Sequence, residues 1–233
     1  MTGEGAQPAA ERPRALLLTG VGRYADPWHP FEQTSDRLRE ILTAAGYEVH
    51  EPQDVDAALA AYTDGAPPSI VVANLGKPRD GLPSPALEAR PGLERLLSTT
   101  PILAVHAAAN SFPDSDLWAT TIGARWVDGR AWHPPFGRLA AVPESSDGSP
   151  LGPLRPFELD DERYLGLDHH GPVLGLYRHA DEDGVLQPSV WLRNADGRRA
   201  AYDAYGHDER AYASDAHRDL LLRIVRWLTR SSH

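Results

Sequence analysis

Residues 101–113 read "PILAVHAAANSFP": an apolar run from Ile102 to Val105 that ends on a histidine and then on three alanines. Four apolar residues in a row suit a short buried strand, which puts His106 at a strand end, where a side chain can be offered to a cleft. Ala107, Ala108 and Ala109 are small enough to let the backbone turn tightly and a helix start close to the sheet, as in a strand-to-helix elbow. The ordinary role of such a histidine is a hydrogen bond to a backbone carbonyl. Imidazole can also ligate a metal, or give and take protons near neutral pH.

Four further clusters carry groups of the same kind. The loop after the first strand offers Arg23, Tyr24, Trp28 and His29, and the turn after His106 offers Asn110. "WHPPFG" contains His133, and "AYGHDERAY" contains Gly206, His207 and Asp208. "ELDDERYLGLDHH" holds Asp160, Asp161, Glu162, Tyr164, His169 and His170. Each has a plain reading. His133, His207 and the pair His169 and His170 fit solvated loops, and the acidic run fits a solvated or capping cluster. The sharper reading makes the acidic run a general base or metal carboxylate facing the histidines, with His106 and Asp161 or Glu162 as the proton-transferring pair. No HExxH, Walker loop, GxSxG or GxGxxG after a strand is present, so any metal must draw ligands from distant loops.

The elements that must position these groups alternate. "RALLLT", "YEVH", "SIVVANLG" and "PILAV" read as strands, and "PFEQTSDRLREILTAAG", "VDAALAAY" and "PGLERLLST" as helices, so a parallel sheet is expected. In such a sheet ligands gather at the carboxyl ends of the strands, where His29 and His106 fall. Gly46 supplies a helix stop, Asp54 a cap, and Pro91 a helix start. The stretch 77–91 reads as a surface loop and "DSDLWATTIG" as a capped helix. "ARWVDGRAWHPPFGRLAAVPE" reads as an irregular strand broken by proline and glycine. "PVLGLYRHA", "SVWLRN" and "RRAAYDAYG" are strands, the last two flanking an "ADG" hairpin turn. Ser214 should cap a closing amphipathic helix with Leu221, Ile224, Val225 and Leu228 on one face.

Composition narrows the partners. Thirty-three acidic against 23 basic residues give a net charge of -10, which disfavours nucleic acid and anionic membranes. With no cysteine in the chain, disulfides, a thiolate nucleophile and thiolate metal sites are all excluded. No segment reaches the roughly 18 consecutive apolar residues of a membrane span. The first residues lack a signal-peptide core, so a cytoplasmic location is expected. Residues 1–13 read as a disordered tail and residues 14–233 as a single domain.

Four stretches in order, "LAVHAAAN", "TTIGARWVDGRAWH", "DDERYLGL" and "QPSVWLRNADGRRAAYDAYGH", give the chain a resemblance to the trehalose-utilisation (ThuA-like) family from about Arg14 to Arg230. The resemblance implies the class I glutamine amidotransferase-like fold: a flavodoxin-like three-layer α/β sandwich with a central mostly parallel sheet and a C-terminal β-hairpin plus helix. It puts His106 where amidotransferases carry their cysteine nucleophile, so glutamine hydrolysis is excluded. It also carries His106, His133, Asp161, Glu162, Tyr164, Gly206 and His207 to one pocket, with His29 as a further wall. The family pattern has a glycine before its elbow histidine; Ala104 and Val105 stand there instead, and "ADGRR" ends in arginine where an apolar residue is expected.

The expectation is an enzyme of carbohydrate catabolism, an isomerase, lyase or hydrolase acting on trehalose, a related glycoside or a keto-sugar. His106, Asp161, Glu162 and His207 are its candidate catalytic residues. Trp28, His29, Asn110, His133 and Tyr164 are its candidate substrate-binding residues, with Trp132 as a further stacking surface. Either no cofactor is needed, or a divalent metal such as zinc sits on His106, His133 and His207. Two other readings stand beside it: a ligand-binding or regulatory module without catalysis, and a homo-oligomer with Trp118, Trp126 and Trp227 at a buried interface.

Overall fold

The computed structural model describes residues 12–145, 148–195 and 197–230. Most of the expected tail, residues 1–11, lies outside them, as do Asp196 of the "ADG" turn and residues 231–233. The chain runs β1 (Arg14–Thr19), α1 (Phe31–Ala44), β2 (Glu48–His50), α2 (Val55–Ala61), β3 (Ile70–Asn74), α3 (Arg90–Thr99) and β4 (Ile102–Val105). It continues through α4 (Asp116–Ile122), β5 (Ala124–Arg125), β6 (Gly137–Pro143), β7 (Phe157–Asp161) and β8 (Asp168–His169). It closes with β9 (Leu174–Ala180), β10 (Leu186–Ala195), β11 (Arg198–Asp203) and α5 (Asp215–Thr229).

Nine strands form one mixed sheet in the order β2-β1-β3-β4-β11-β10-β9-β6-β7. From β2 to β11 every pairing is parallel, and from β11 to β7 every pairing is antiparallel. The expected mostly parallel sheet is therefore corrected to one divided evenly between the two kinds of pairing. The cause lies in the connections: α1, α2 and α3 provide the long crossovers that parallel neighbours need, while β9, β10 and β11 follow one another through short turns. The C-terminal hairpin and helix are present, with Ala195 paired to Arg198 and α5 following β11.

β3 and β4 are buried along their whole length and β1 beyond its first residue, which is why they are continuous apolar runs rather than alternating ones. On one face of the sheet, Leu38, Ile41 and Leu42 of α1 pack with Leu221, Ile224, Val225 and Leu228 of α5. On the other, Leu59 of α2, Leu93 and Leu97 of α3 and Trp118 of α4 form a second core layer. Trp118 and Trp227 belong to these layers and are buried within the chain. None of the helices among the described residues is long and apolar enough to cross a membrane.

Several helix ends follow local chemistry. Asp54 accepts from the Ala57 amide, Ser115 accepts from the Trp118 amide, and Gly46 takes a φ of 95° after α1. Ser214 precedes α5 but makes no side-chain cap bond, which corrects the expected role. The elbow after β4 also differs from expectation. Residues His106–Asn110 form a 3-10 turn, and α4 starts only at Asp116. Pro113 disfavours helical backbone at Phe112, which takes a φ of 47°, so a helix cannot run straight on from the turn.

Under α5, Asp203 and His217 form a fully buried pair, His217 Nε2 lying 2.7 Å from Asp203 Oδ2 while Nδ1 donates to the Ala211 carbonyl at 3.1 Å. Both partners of this ring are acceptors, so the ring is held protonated. Burial opposes its charge, but Asp203 outweighs burial and raises the His217 pKa above its ordinary value. Its contribution to stability is complete below the unfolded-state pKa of about 6.5 and is lost as pH rises through the raised folded value. Asp203→Ala leaves that ring without its counter-ion and should cost about 3–5 kcal/mol in urea unfolding at neutral pH. The deficit should shrink as pH rises.

Candidate functional site

At the carboxyl ends of β1, β3, β4 and β11 the connecting loops surround a cavity of about 500 Å³. His106 follows β4 directly, with a φ of 45° that a residue other than glycine rarely holds and that costs about 1–3 kcal/mol. Two hydrogen bonds keep it there. Its Nδ1–H donates to the Ala204 carbonyl at 2.7 Å, and the Tyr202 hydroxyl donates to its own carbonyl at 3.0 Å. With Nδ1 carrying a proton, Nε2 of the neutral ring presents a lone pair, and among the described residues this buried atom has no hydrogen-bond partner.

That atom faces Glu162. Glu162 Oε2 lies 3.4 Å from His106 Nε2 and 3.2 Å from His207 Nδ1, and Oε1 lies 3.4 Å from His133 Nδ1. One carboxylate thus sits among three imidazoles supplied by three separate loops. Burial pushes its pKa up, but the surrounding imidazoles, of which His207 is the one whose own pKa is raised, more than reverse this and hold it well below the usual carboxylate range. Burial lowers His106 to about 4, so at neutral pH the ring is neutral. His207 is raised, because Glu162 outweighs the opposing effect of burial.

Glu162 comes from the far edge of the sheet. β6 pairs with β9 only through Val142 and Pro143 but with β7 along Gly137–Ala141, so the β6–β7 ribbon leaves the sheet and its end reaches back toward β11. Asp161 fastens it there. Its Oδ2 accepts from the Gly206 amide at 2.6 Å, and its Oδ1 accepts from the amides of His207 and Glu162 at 3.1 and 2.8 Å. Burial pushes the Asp161 carboxyl up to about 7 against these three donors, which favour the ionised form. Gly206 has a φ of 118°, and a Cβ there would lie 2.7 Å from the Tyr212 hydroxyl and 2.9 Å from Val105 Cγ1. Only glycine brings that amide to Asp161.

His29 completes the wall. Asp26 accepts from the amides of Trp28 and His29 and meets His29 Nδ1 at 2.8 Å, turning Nε2 toward the Tyr164 hydroxyl 3.4 Å away. The rings of His29, His106 and His207 lie 4.9 to 5.5 Å apart, and Tyr164 packs 4.0 Å from His106. Single ligand atoms of His29, His106, Glu162 and His207 all fall within 4.8 Å of one another, a spacing that could hold a metal ion. The chemistry of the set fits one. Two imidazoles are oriented from behind, His29 by a carboxylate and His106 by a carbonyl, as in metal sites generally. Buried Nε2 of His106 and Nδ1 of His207 lack hydrogen-bond partners among the described residues.

Most of the expected site residues meet here. Trp28, His29, Asn110, His133, Glu162, Tyr164 and His207 line the cavity, and His106 lies behind them, in contact with Glu162 and Tyr164. Two assignments change. Asp161 does not face the cavity, because both its oxygens are taken by backbone amides; it positions Glu162 and His207. His133 is replaced by His29 in the metal-competent group, since its Nδ1 lies 3.0 Å from the Pro134 carbonyl, to which it can donate. Asp160 turns outward to Arg138, His170 meets Asp168, and Asp208 binds Arg210; none of them lines the cavity. Sequence reasoning missed Asp26, Arg79 and Asp128, which do. For Asp26 a signal exists: aspartate followed by proline, three residues before a histidine, favours a turn that folds the carboxylate back on the chain.

No protein-family model and no curated protein sequence matches the chain. Among solved structures it is similar to a ThuA-like protein of Parabacteroides merdae ATCC 43184, with a TM-score of 0.72 and 19% identity over 94% of this chain and 90% of that one. A ThuA-like protein of Bacteroides uniformis ATCC 8492 gives a TM-score of 0.67 and 15% identity over 97% and 95%. A beta-galactosidase from the Antarctic haloarchaeon Halorubrum lacusprofundi gives 0.58 and 14%, with 97% of this chain matching 31% of that enzyme. At these identities the likeness shows a shared fold.

The contrast between the two imidazoles beside Glu162 can be read directly. In a pH titration followed by ¹⁵N NMR, His106 should stay neutral from pH 8 down to about 5 and protonate only near its lowered value of about 4. His207 should titrate above the ordinary histidine value of about 6.5. Inflections at one common pH for both rings would contradict the assignment.

Proposed function

We propose that the protein is a ThuA-like enzyme of carbohydrate catabolism, acting on a glycoside or keto-sugar by acid and base chemistry at Glu162 and its imidazoles. The observation that carries this reading is the buried carboxylate set among His106, His133 and His207 beside a cavity large enough for a sugar. The fold shared with two ThuA-like proteins supports it, and the strand order β2-β1-β3-β4-β11 agrees with a flavodoxin-like, amidotransferase-like scaffold.

The roles divide by protonation. His106, neutral with Nε2 unprotonated, and Glu162, ionised, hold lone pairs that can take a proton from a substrate hydroxyl or from carbon beside a carbonyl. His207 retains a proton to higher pH and can return one. Asn110 and Tyr164 offer hydrogen bonds to hydroxyls, and the exposed face of Trp28 offers an apolar surface to a ring. A divalent metal, zinc for example, would be held by His29, His106, Glu162 and His207 and would polarise a carbonyl or hydroxyl.

The test assays disaccharides and their keto derivatives with wild type, His106→Ala and Glu162→Gln, alongside metal analysis of the purified protein. Either substitution should lower turnover roughly 10²–10⁴-fold, with thermal unfolding still cooperative. The rate should fall on the acid side as His106 protonates and on the alkaline side above pH about 6.5 as His207 loses its proton. Binding of these sugars without turnover by wild type would instead favour the non-catalytic module.

A further inference from the structure

We propose that Arg79 selects a carbohydrate bearing an anionic substituent, a carboxylate or a phosphate, at the mouth of the cavity. The inference rests on the carbohydrate reading above and names the substrate class within it.

The charged side chains lining the cavity are accounted for one by one. Asp26 is taken by His29 at 2.8 Å, Asp128 by Lys77 at 2.8 Å, and Glu162 by its imidazoles. Arg79 is different. It lines the same cavity, is exposed, and among the described residues forms no close ion pair and donates no hydrogen bond; its charge is felt by Asp128, whose carboxylate is taken by Lys77. An exposed arginine without a partner is commonplace in itself, but this one is held in place. Its Cζ lies 4.2 Å from the ring centroid of Trp28, which also lines the cavity. A cation–π contact does not consume the N–H groups of a guanidinium, so the group is held at the ring with its donors unspent.

The backbone beneath it is fixed as well. The Gly76 amide donates to the Tyr24 carbonyl at 2.9 Å, Lys77 is tied to Asp128, and Asp80 is tied to Arg23 at 2.8 Å. A protein of net charge -10 therefore keeps an anchored cation, its hydrogen-bond donors unspent, at the entrance to its cavity. Glu162 lies buried while Arg79 and Trp28 are exposed, and the exposed carboxylate of the lining, Asp128, is already paired with Lys77, so an anionic group can meet the guanidinium without facing Glu162. The guanidinium fork suits carboxylate and phosphate oxygens alike, gripping either with two parallel hydrogen bonds.

Isothermal titration calorimetry with glucose, glucuronate and glucose 6-phosphate tests this, on wild type, Arg79→Gln and Arg79→Lys. Wild type should bind at least one of the two anionic sugars about tenfold more tightly than glucose at low salt, and the advantage should shrink at high salt. The better of the two identifies the anion. Arg79→Gln should erase the advantage and leave glucose affinity unchanged, and Arg79→Lys should keep part of it. Equal affinity for all three in wild type, or an advantage that survives Arg79→Gln, overturns the role of Arg79 while leaving the carbohydrate reading in place. Absence of binding by all three sugars overturns both.

Discussion

The site depends on one carboxylate that never faces it. Asp161 gathers the amides of Glu162, Gly206 and His207, and so joins the end of an edge ribbon to the loop after a central strand. Without that junction the acidic group and one of its imidazoles would belong to unrelated parts of the surface. Backbone donors suit this task better than side chains would. They are fixed by the chain itself, and three of them around one buried carboxylate offset part of its desolvation.

Once Glu162 is in place, the electrostatics follow from burial and proximity. The carboxylate stays ionised because imidazoles surround it, and His106 stays neutral because burial penalises its cation more than Glu162 rewards it. His207, less deeply buried, tips the other way. Chemically identical rings a few ångströms apart are thereby separated into one that holds a lone pair and one that keeps its proton to higher pH.

Much of this was legible in the chain. Continuous apolar runs mark β1, β3 and β4, and the loops bearing His29, His106, Glu162, Tyr164 and His207, each visible as a polar cluster in the chain, meet around one cavity. What could not be read was the path between them. "FELDD" is a strand with Leu159 and Asp161 turned inward, but its acidic residues disguise the alternation, so β7 passes for a polar loop. For the same reason Asp161 reads as a reactive acid rather than a clasp. The even division between parallel and antiparallel pairing is also hidden, because pairing depends on where strands meet in space and not on their composition. His29 stands in the tight group and His133 outside it because Asp26 orients the one and the Pro134 carbonyl engages the other, contacts that the spacing of histidines does not encode.

The ribbon that carries Glu162 has a last consequence. β6 is paired to β9 at only two positions, whereas β4, which leads into His106, is paired on both sides. The anion and the lone-pair imidazole therefore sit on parts of the molecule with unequal resistance to opening. Fraying of the ribbon would disarm the pocket while the parallel half of the sheet stayed folded, which makes the intact site a condition the protein can lose well short of denaturation.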